Sequence, residues 1–240
     1  MILLTSTNNE RVNLVYIKTM KEFEDIRNYK PMHQLLVLFS LIDCFAQHNN
    51  HYRKKVTNTD IFCDFLLTYS SEKYKRILQS ICPTTMYYQY IKNNENQQKQ
   101  NTIEINFIPG FLIFVSSDMA QRETNRLLCF LTAEEAKTAK KAHRIVNLLY
   151  RLRCKLSHEL NRVDIGDIFG EIQETDEPYM ASGTEIIDVG QMEKVWRLAI
   201  PTNFVYNVAK EAITNYLNIQ SENENAFIDV AKRRNLSWYE

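Results

Sequence analysis

Apolar positions in this chain recur mostly at three- and four-residue steps, the period of helices buried along one side. Residues 17–30 carry Lys18, Lys21, Glu22, Glu24, Asp25 and Arg27, a pattern that predicts a surface helix ended by Pro31. From Met32 to Phe45 the chain is apolar almost all round, as a buried helix is. A polar loop is expected over 48–55, and Thr59-Asp60 then caps a helix holding Ile61, Phe62, Phe65 and Leu66. Helical spacing resumes from Tyr74 to Ile81 and stops at Pro83.

The pattern changes in the middle of the chain. Residues 93–101 are Asn, Gln, Glu and Lys alone and have nothing to bury, which predicts a solvent loop inserted into the domain. Ile103 to Phe107 alternates with period two, Pro109-Gly110 turns, and Phe111 to Val115 is apolar. Together they predict a short β-hairpin or extended segment. The strongest periodicity lies at 133–160. Thr132-Ala133-Glu134-Glu135 fits a capped start, and Ile145, Leu149, Leu152, Leu156 and Leu160 then form one stripe on a long helix that must face a core. Residues 166–200 read as loop and β segment, with short extended pieces at Glu185–Val189 and Val195–Ile200. After Pro201, Thr202 or Asn203 caps a helix with Phe204, Val205, Val208, Ala212, Ile213, Tyr216 and Leu217 on one side. No linker splits the chain, so residues 1–240 are expected to form a single domain.

Composition sharpens this. The 240 residues contain five glycines and five prolines, too few for a turn-rich sandwich or a glycine-rich phosphate cradle. The expected class is mainly α, a helical bundle with a small β-hairpin or short-strand element. Lys+Arg and Asp+Glu both total 29, so the chain as a whole is no electrostatic clamp for nucleic acid. Cys44, Cys63, Cys82, Cys129 and Cys154 are scattered without a CxxC pair, which excludes a disulfide framework and a zinc knuckle. The first ten residues lack the basic region of a signal peptide, and the apolar stretch Leu35–Ala46 is too short to span a bilayer. A cytoplasmic protein without membrane contact is expected.

Chemistry concentrates in Arg151-Leu152-Arg153-Cys154-Lys155-Leu156-Ser157-His158. At 100° per residue, Arg151, Cys154, Lys155 and His158 lie opposite the leucine stripe and Arg153 at its border. An imidazole can move a proton near neutral pH, and a guanidinium can hold charge developing on a phosphoryl oxygen. The same cations would suit the C-terminal end of a helix through its dipole alone. His48 and His51, beside Arg53-Lys54-Lys55, are expected to be solvated rather than metal-bound. Tyr87-Tyr88-Gln89-Tyr90 is expected to pack rather than stack on bases. Neither a Walker A loop nor an HExxH pair is present.

Arg153-Cys154-Lys155-Leu156-Ser157-His158 resembles the Arg-x4-6-His motif of the HEPN (higher eukaryotes and prokaryotes nucleotide-binding) superfamily, whose common form is Arg-polar-x-Leu-Ser/Ala-His on a late helix of a bundle. The helical context of the resemblance runs over residues 32–160, and the helix with Leu41-Ile42-Asp43-Cys44 is similar to the acidic, apolar helix that precedes the motif in many bacterial members. The resemblance implies a metal-independent endoribonuclease of toxin–antitoxin or anti-phage (abortive-infection) systems, cutting single-stranded RNA without a cofactor. It implies Arg153 and His158 as catalytic residues, with Arg151, Cys154, Lys155 and Ser157 auxiliary and Asp43 paired to a motif arginine. It also implies a homodimer with one composite active site, restrained by an antitoxin or another defence-system partner. Cys154 departs from the usual Asn, Asp or His after the arginine. That departure keeps open a catalytically silent HEPN module that binds a nucleotide or a partner protein. Arg151 satisfies the longer six-residue spacing, while the Lys-Leu-Ser-His tail aligns with Arg153.

Overall fold

A computed structural model of the chain describes residues 8–50, 56–92, 112–158, 168–169, 175–188 and 191–222. The chain divides into two compact units, one of residues 1–71 and 206–240, the other of residues 72–205. It is mainly α with a small sheet, as composition and periodicity predict.

The first unit contains α1 (Asn8–Ile26), α2 (Pro31–Asn49), α3 (Asn58–Tyr69) and most of α9 (Thr202–Ser221). α1 begins well before the expected surface helix and buries Val12, Val15, Phe23 and Ile26, so it is amphipathic rather than wholly exposed. It stops at Ile26. Pro31 does not end it but opens α2, where the missing N–H would have had no intrahelical partner. The side chain of Gln34 donates to the carbonyls of Tyr29 (2.7 Å) and Arg27 (3.3 Å), satisfying the tight connection. α3 starts earlier than Thr59-Asp60 suggests: the Thr57 hydroxyl accepts from the Asp60 amide at 3.1 Å and caps the helix.

Tyr216 of α9 is the centre of this unit's core. Its ring meets Phe45, Phe65 and Tyr69 edge-on at centroid distances of 6.0, 5.6 and 5.1 Å. Its hydroxyl shares a hydrogen bond with His48 Nδ1. His48 is thus a buried residue near the end of α2, not part of a solvated loop; His51 lies outside the described residues. Asn215 donates to the carbonyl of Tyr69 at 2.8 Å, and the Ser71 amide donates to Glu211, which ties the end of α3 to α9.

The second unit contains α4 (Glu72–Gln79), α5 (Pro83–Tyr87) continuing into a π-helical turn (Tyr88–Lys92), α6 (Asp118–Leu128), α7 (Ala133–Ala142) and α8 (Ile145–His158). Its sheet joins β1 (Ile113–Phe114), β2 (Ile168–Phe169), β3 (Tyr179–Asp188) and β4 (Gln191–Ala199) in the order β1-β3-β4-β2. β3 and β4 form an antiparallel hairpin from Tyr179↔Ala199 onward, β1 flanks β3 antiparallel, and β2 lies parallel to β4. The expected 103–107 strand and the 93–101 loop lie outside the described residues, and the described partner of Ile113–Phe114 is β3. β3 is also longer than the expected Glu185–Val189 piece. Its first half, Tyr179-Met180-Ala181-Ser182-Gly183, lacks strict alternation, and the hydrogen bonds of β4 hold it extended.

The single long helix expected over 133–160 is two helices. α7 begins with the expected capping box: the Glu135 amide donates to Thr132 Oγ1 at 3.3 Å and the Thr132 amide donates to Glu135 Oε2 at 2.8 Å. Thr132→Ala is expected to lower the unfolding free energy by about 1 kcal/mol in urea titrations. The break comes at His143-Arg144. Here the Cys82 amide donates to the His143 carbonyl and the Ile145 amide donates to the Ser80 carbonyl, both at 2.9 Å. These bonds divert backbone groups that a continuous helix would use internally. No glycine or proline marks the spot, so local sequence does not announce it.

Candidate active site

The motif residues occupy the last two turns of α8, and the opposite side of that helix fixes them. Ile145, Leu149, Leu152 and Leu156, the expected stripe, are all buried, as are Val146 and Leu148; Leu160 lies outside the described residues. Removing this much apolar surface from water sets the rotation of the helix. Arg151 consequently points to solvent, Arg153, Cys154 and Lys155 are half-buried, and Ser157 is exposed. His158 is the last residue of α8, and its side chain lies outside the described residues.

Arg153 has the border position that helix geometry assigns to it. Its guanidinium carbon stands 5.7 Å from the ring centroid of Tyr150, and Nη1 lies 3.8 Å from Cys154 Sγ. The thiol therefore occupies a place beside the arginine where a stronger hydrogen-bonding group is usual in the motif it resembles. Ser157 donates its hydroxyl to the Arg153 carbonyl at 2.9 Å, an i−4 bond within the helix. Asp43 is half-buried on α2 in the first unit, whereas the motif arginines belong to the second.

Sequence reasoning passed over His143, which sits at the α7–α8 break and is fully buried. Its Nδ1 lies 2.8 Å from the Thr85 hydroxyl, and the Tyr90 ring meets it edge-on at 5.7 Å. Nε2 has no hydrogen-bond partner among the described residues. Burial, reinforced by the nearby Arg151 charge, holds its pKa down at about 4. The imidazole is thus neutral at physiological pH and packs between Thr85 and Tyr90. Because the folded-state value lies below the ordinary one of about 6.5, the unfolded chain binds this proton first. Stability from His143 is therefore complete above pH 6.5 and falls by about 3 kcal/mol as the pH drops to 4. Urea unfolding across that range should show a shallower pH slope in His143→Gln than in the wild type.

Tyr88 and Tyr90 are committed to packing, as expected. The Tyr88 hydroxyl accepts from the Trp196 amide at 3.1 Å, and Tyr87 and Tyr88 meet edge-on at 5.4 Å. Among the described residues, no group of three or more His, Cys, Asp or Glu side chains is placed to hold a metal ion. No described helix is long and apolar enough to cross a membrane. No family model matches the chain, and neither a curated protein nor a solved structure is detectably similar to it. The site therefore has to be read from its own chemistry, which is that of a short cationic helix end with arginines at two different depths.

Proposed function

We propose that the chain is a metal-independent endoribonuclease of HEPN type that cuts single-stranded RNA in the cytoplasm. The supporting observation is the division of α8: a buried leucine stripe locks the helix, while Arg151 is exposed and Arg153 and Lys155 are half-buried near its C-terminal end. Permanent cations held rigidly at one helix end are preorganised for a phosphodiester, whose charge grows during in-line attack.

In this mechanism the RNA 2′-hydroxyl attacks the adjacent phosphorus as a general base removes its proton. The bond from phosphorus to the 5′-oxygen breaks, and that oxygen takes a proton from a general acid. The products are a 2′,3′-cyclic phosphate and a 5′-hydroxyl, with no water, metal or cofactor consumed. His158 is the proton-transfer group, and Arg153 binds the scissile phosphate and stabilises its extra charge. Arg151 and Lys155 raise the local potential and hold the neighbouring phosphates. Each chain supplies one motif, so a homodimer would bring two α8 ends together as one composite site, offering the base and the acid on opposite sides of the phosphate. An activity of this kind fits toxin–antitoxin or anti-phage defence, where a partner protein restrains it.

The engagement of Arg153 with Tyr150 and Cys154 favours a second reading, a catalytically silent HEPN module that binds a nucleotide or partner protein. Sedimentation of the purified chain, followed by incubation of the dimer with mixed RNAs in EDTA, separates the two. Loss of full-length RNA supports the enzyme; intact RNA together with saturable nucleotide binding supports the silent module.

A further inference from the structure

Away from the motif, the second unit has an open groove of about 720 Å³ along α7 and the start of α8. Lys137, Lys140, Lys141 and Arg144 line it against a single carboxylate, Glu134, and all four cations are exposed. Lys137, Lys140 and Lys141 recur at helical spacing on α7, roughly 6 Å apart along the axis for each four-residue step. Arg144 follows at the break between the helices, where its backbone pairs with Ile81 and its side chain is left to the solvent. Lys137, Lys140 and Arg144 form no ion pair with any described residue, so their charge is directed outward. In a chain of zero net charge, such a cluster is the local field a polyanion would feel.

The groove also leads somewhere. Asn147 lines it in the first turn of α8. Positions 147, 151, 154 and 158 fall within about 60° of one another around that helix and span roughly 16 Å along it. The groove lining ends at Asn147, and the helix face that carries Asn147 runs on through position 151 to the end that carries the motif.

We propose that this α7–α8 groove holds the sugar–phosphate backbone of single-stranded RNA and delivers it along the outer face of α8 to the motif. The identity of the polyanion rests on the ribonuclease reading of α8; the groove's capacity for a phosphate chain rests on its own cations. Thr138 and Asn147 add neutral groups of the kind that contact phosphate and sugar oxygens. Contacts of this type position the chain without reading bases, so the groove gives affinity and direction rather than sequence preference.

The test is fluorescence anisotropy of the full chain with a labelled 2′-O-methyl oligouridylate, which has no free 2′-hydroxyl and so reports binding without cleavage. The combined variant Lys137→Ala, Lys140→Ala and Arg144→Ala should bind at least tenfold more weakly. Its slope of log affinity against log salt should be shallower by about 2, the counterion release of three phosphate contacts on a single strand. The combined variant Lys137→Arg and Lys140→Arg keeps the charges and should keep the wild-type slope. Equal affinity and slope in the wild type and the alanine variant, with unchanged melting temperature, would overturn the proposal. So would displacement of the probe by a polyglutamate peptide at lower concentration than by unlabelled oligonucleotide, since the occupant would then be an acidic protein segment. Cleavage of unmodified RNA is read separately. A wild type that binds the probe with the groove-dependent slope but leaves RNA intact upholds the groove and removes the ribonuclease reading.

Discussion

His158→Ala and Arg153→Ala are each expected to slow single-turnover cleavage of a labelled single-stranded RNA by about 10²–10⁴-fold. The size follows from what each would supply. Losing a positioned proton-transfer group, or a cation poised for the transition-state phosphate, raises the barrier by about 3–5 kcal/mol. Neither residue is in the buried stripe, so melting temperatures should stay near the wild-type value and the loss can be assigned to chemistry. Ser157→Ala supplies the contrast. Its hydroxyl is spent on the Arg153 carbonyl within the helix, and its removal should change the rate by less than about threefold. Arg151→Ala decides which arginine the motif uses. Arg151 is exposed and Arg153 is half-buried against Tyr150. A larger loss at 151 than at 153 would transfer the phosphate-binding role to the exposed side chain.

Leu152→Ala is expected to destabilise the fold by about 2–5 kcal/mol in urea unfolding, the largest stability effect foreseen for a single change in α8. Leu152 is fully buried and lies between the two candidate arginines, Arg151 and Arg153, in sequence. Its truncation removes apolar contact and leaves a cavity under the turn that carries the motif. RNA cleavage should fall with it, because the cations are held in place only as firmly as the stripe beneath them. Arg151→Ala, one residue away on the exposed side, should shift stability by less than about 0.5 kcal/mol. The contrast between neighbours measures how sharply α8 separates a structural face from a chemical one.

The parts of the fold that periodicity could reach were those stabilised by apolar faces. The stripe from Ile145 to Leu156 and the buried side of α9 from Phe204 to Leu217 are legible because each residue's burial follows from its angular position on the helix. The break at His143-Arg144 was not legible, because it is made by the Cys82 amide donating to the His143 carbonyl and the Ser80 carbonyl accepting from the Ile145 amide, both partners remote in sequence. The first half of β3 is hidden for the same reason: Ala181, Ser182 and Gly183 have little strand preference and are held by the β4 ladder. His48 reads as a loop residue because Asn49 and Asn50 follow it, yet α2 extends past it and Tyr216 receives its ring. At the candidate site, helix geometry gave the relative exposure of Arg151 and Arg153 correctly. The basic groove had a visible sign in the spacing of Lys137, Lys140, Lys141 and Arg144, but only the paired helices turn that spacing into a concave surface.

If the end of α8 performs phosphodiester transesterification with its own side chains, the ends of the cleaved RNA carry its signature. Mass spectrometry of the products from a defined single-stranded RNA, incubated with the purified chain in excess EDTA, tests it most directly. A ladder of fragments ending in 2′,3′-cyclic phosphate, each followed by a fragment with a 5′-hydroxyl, is the predicted result. Fragments bearing 3′-hydroxyl and 5′-phosphate ends, or cleavage that appears only when a divalent metal is restored, would contradict it.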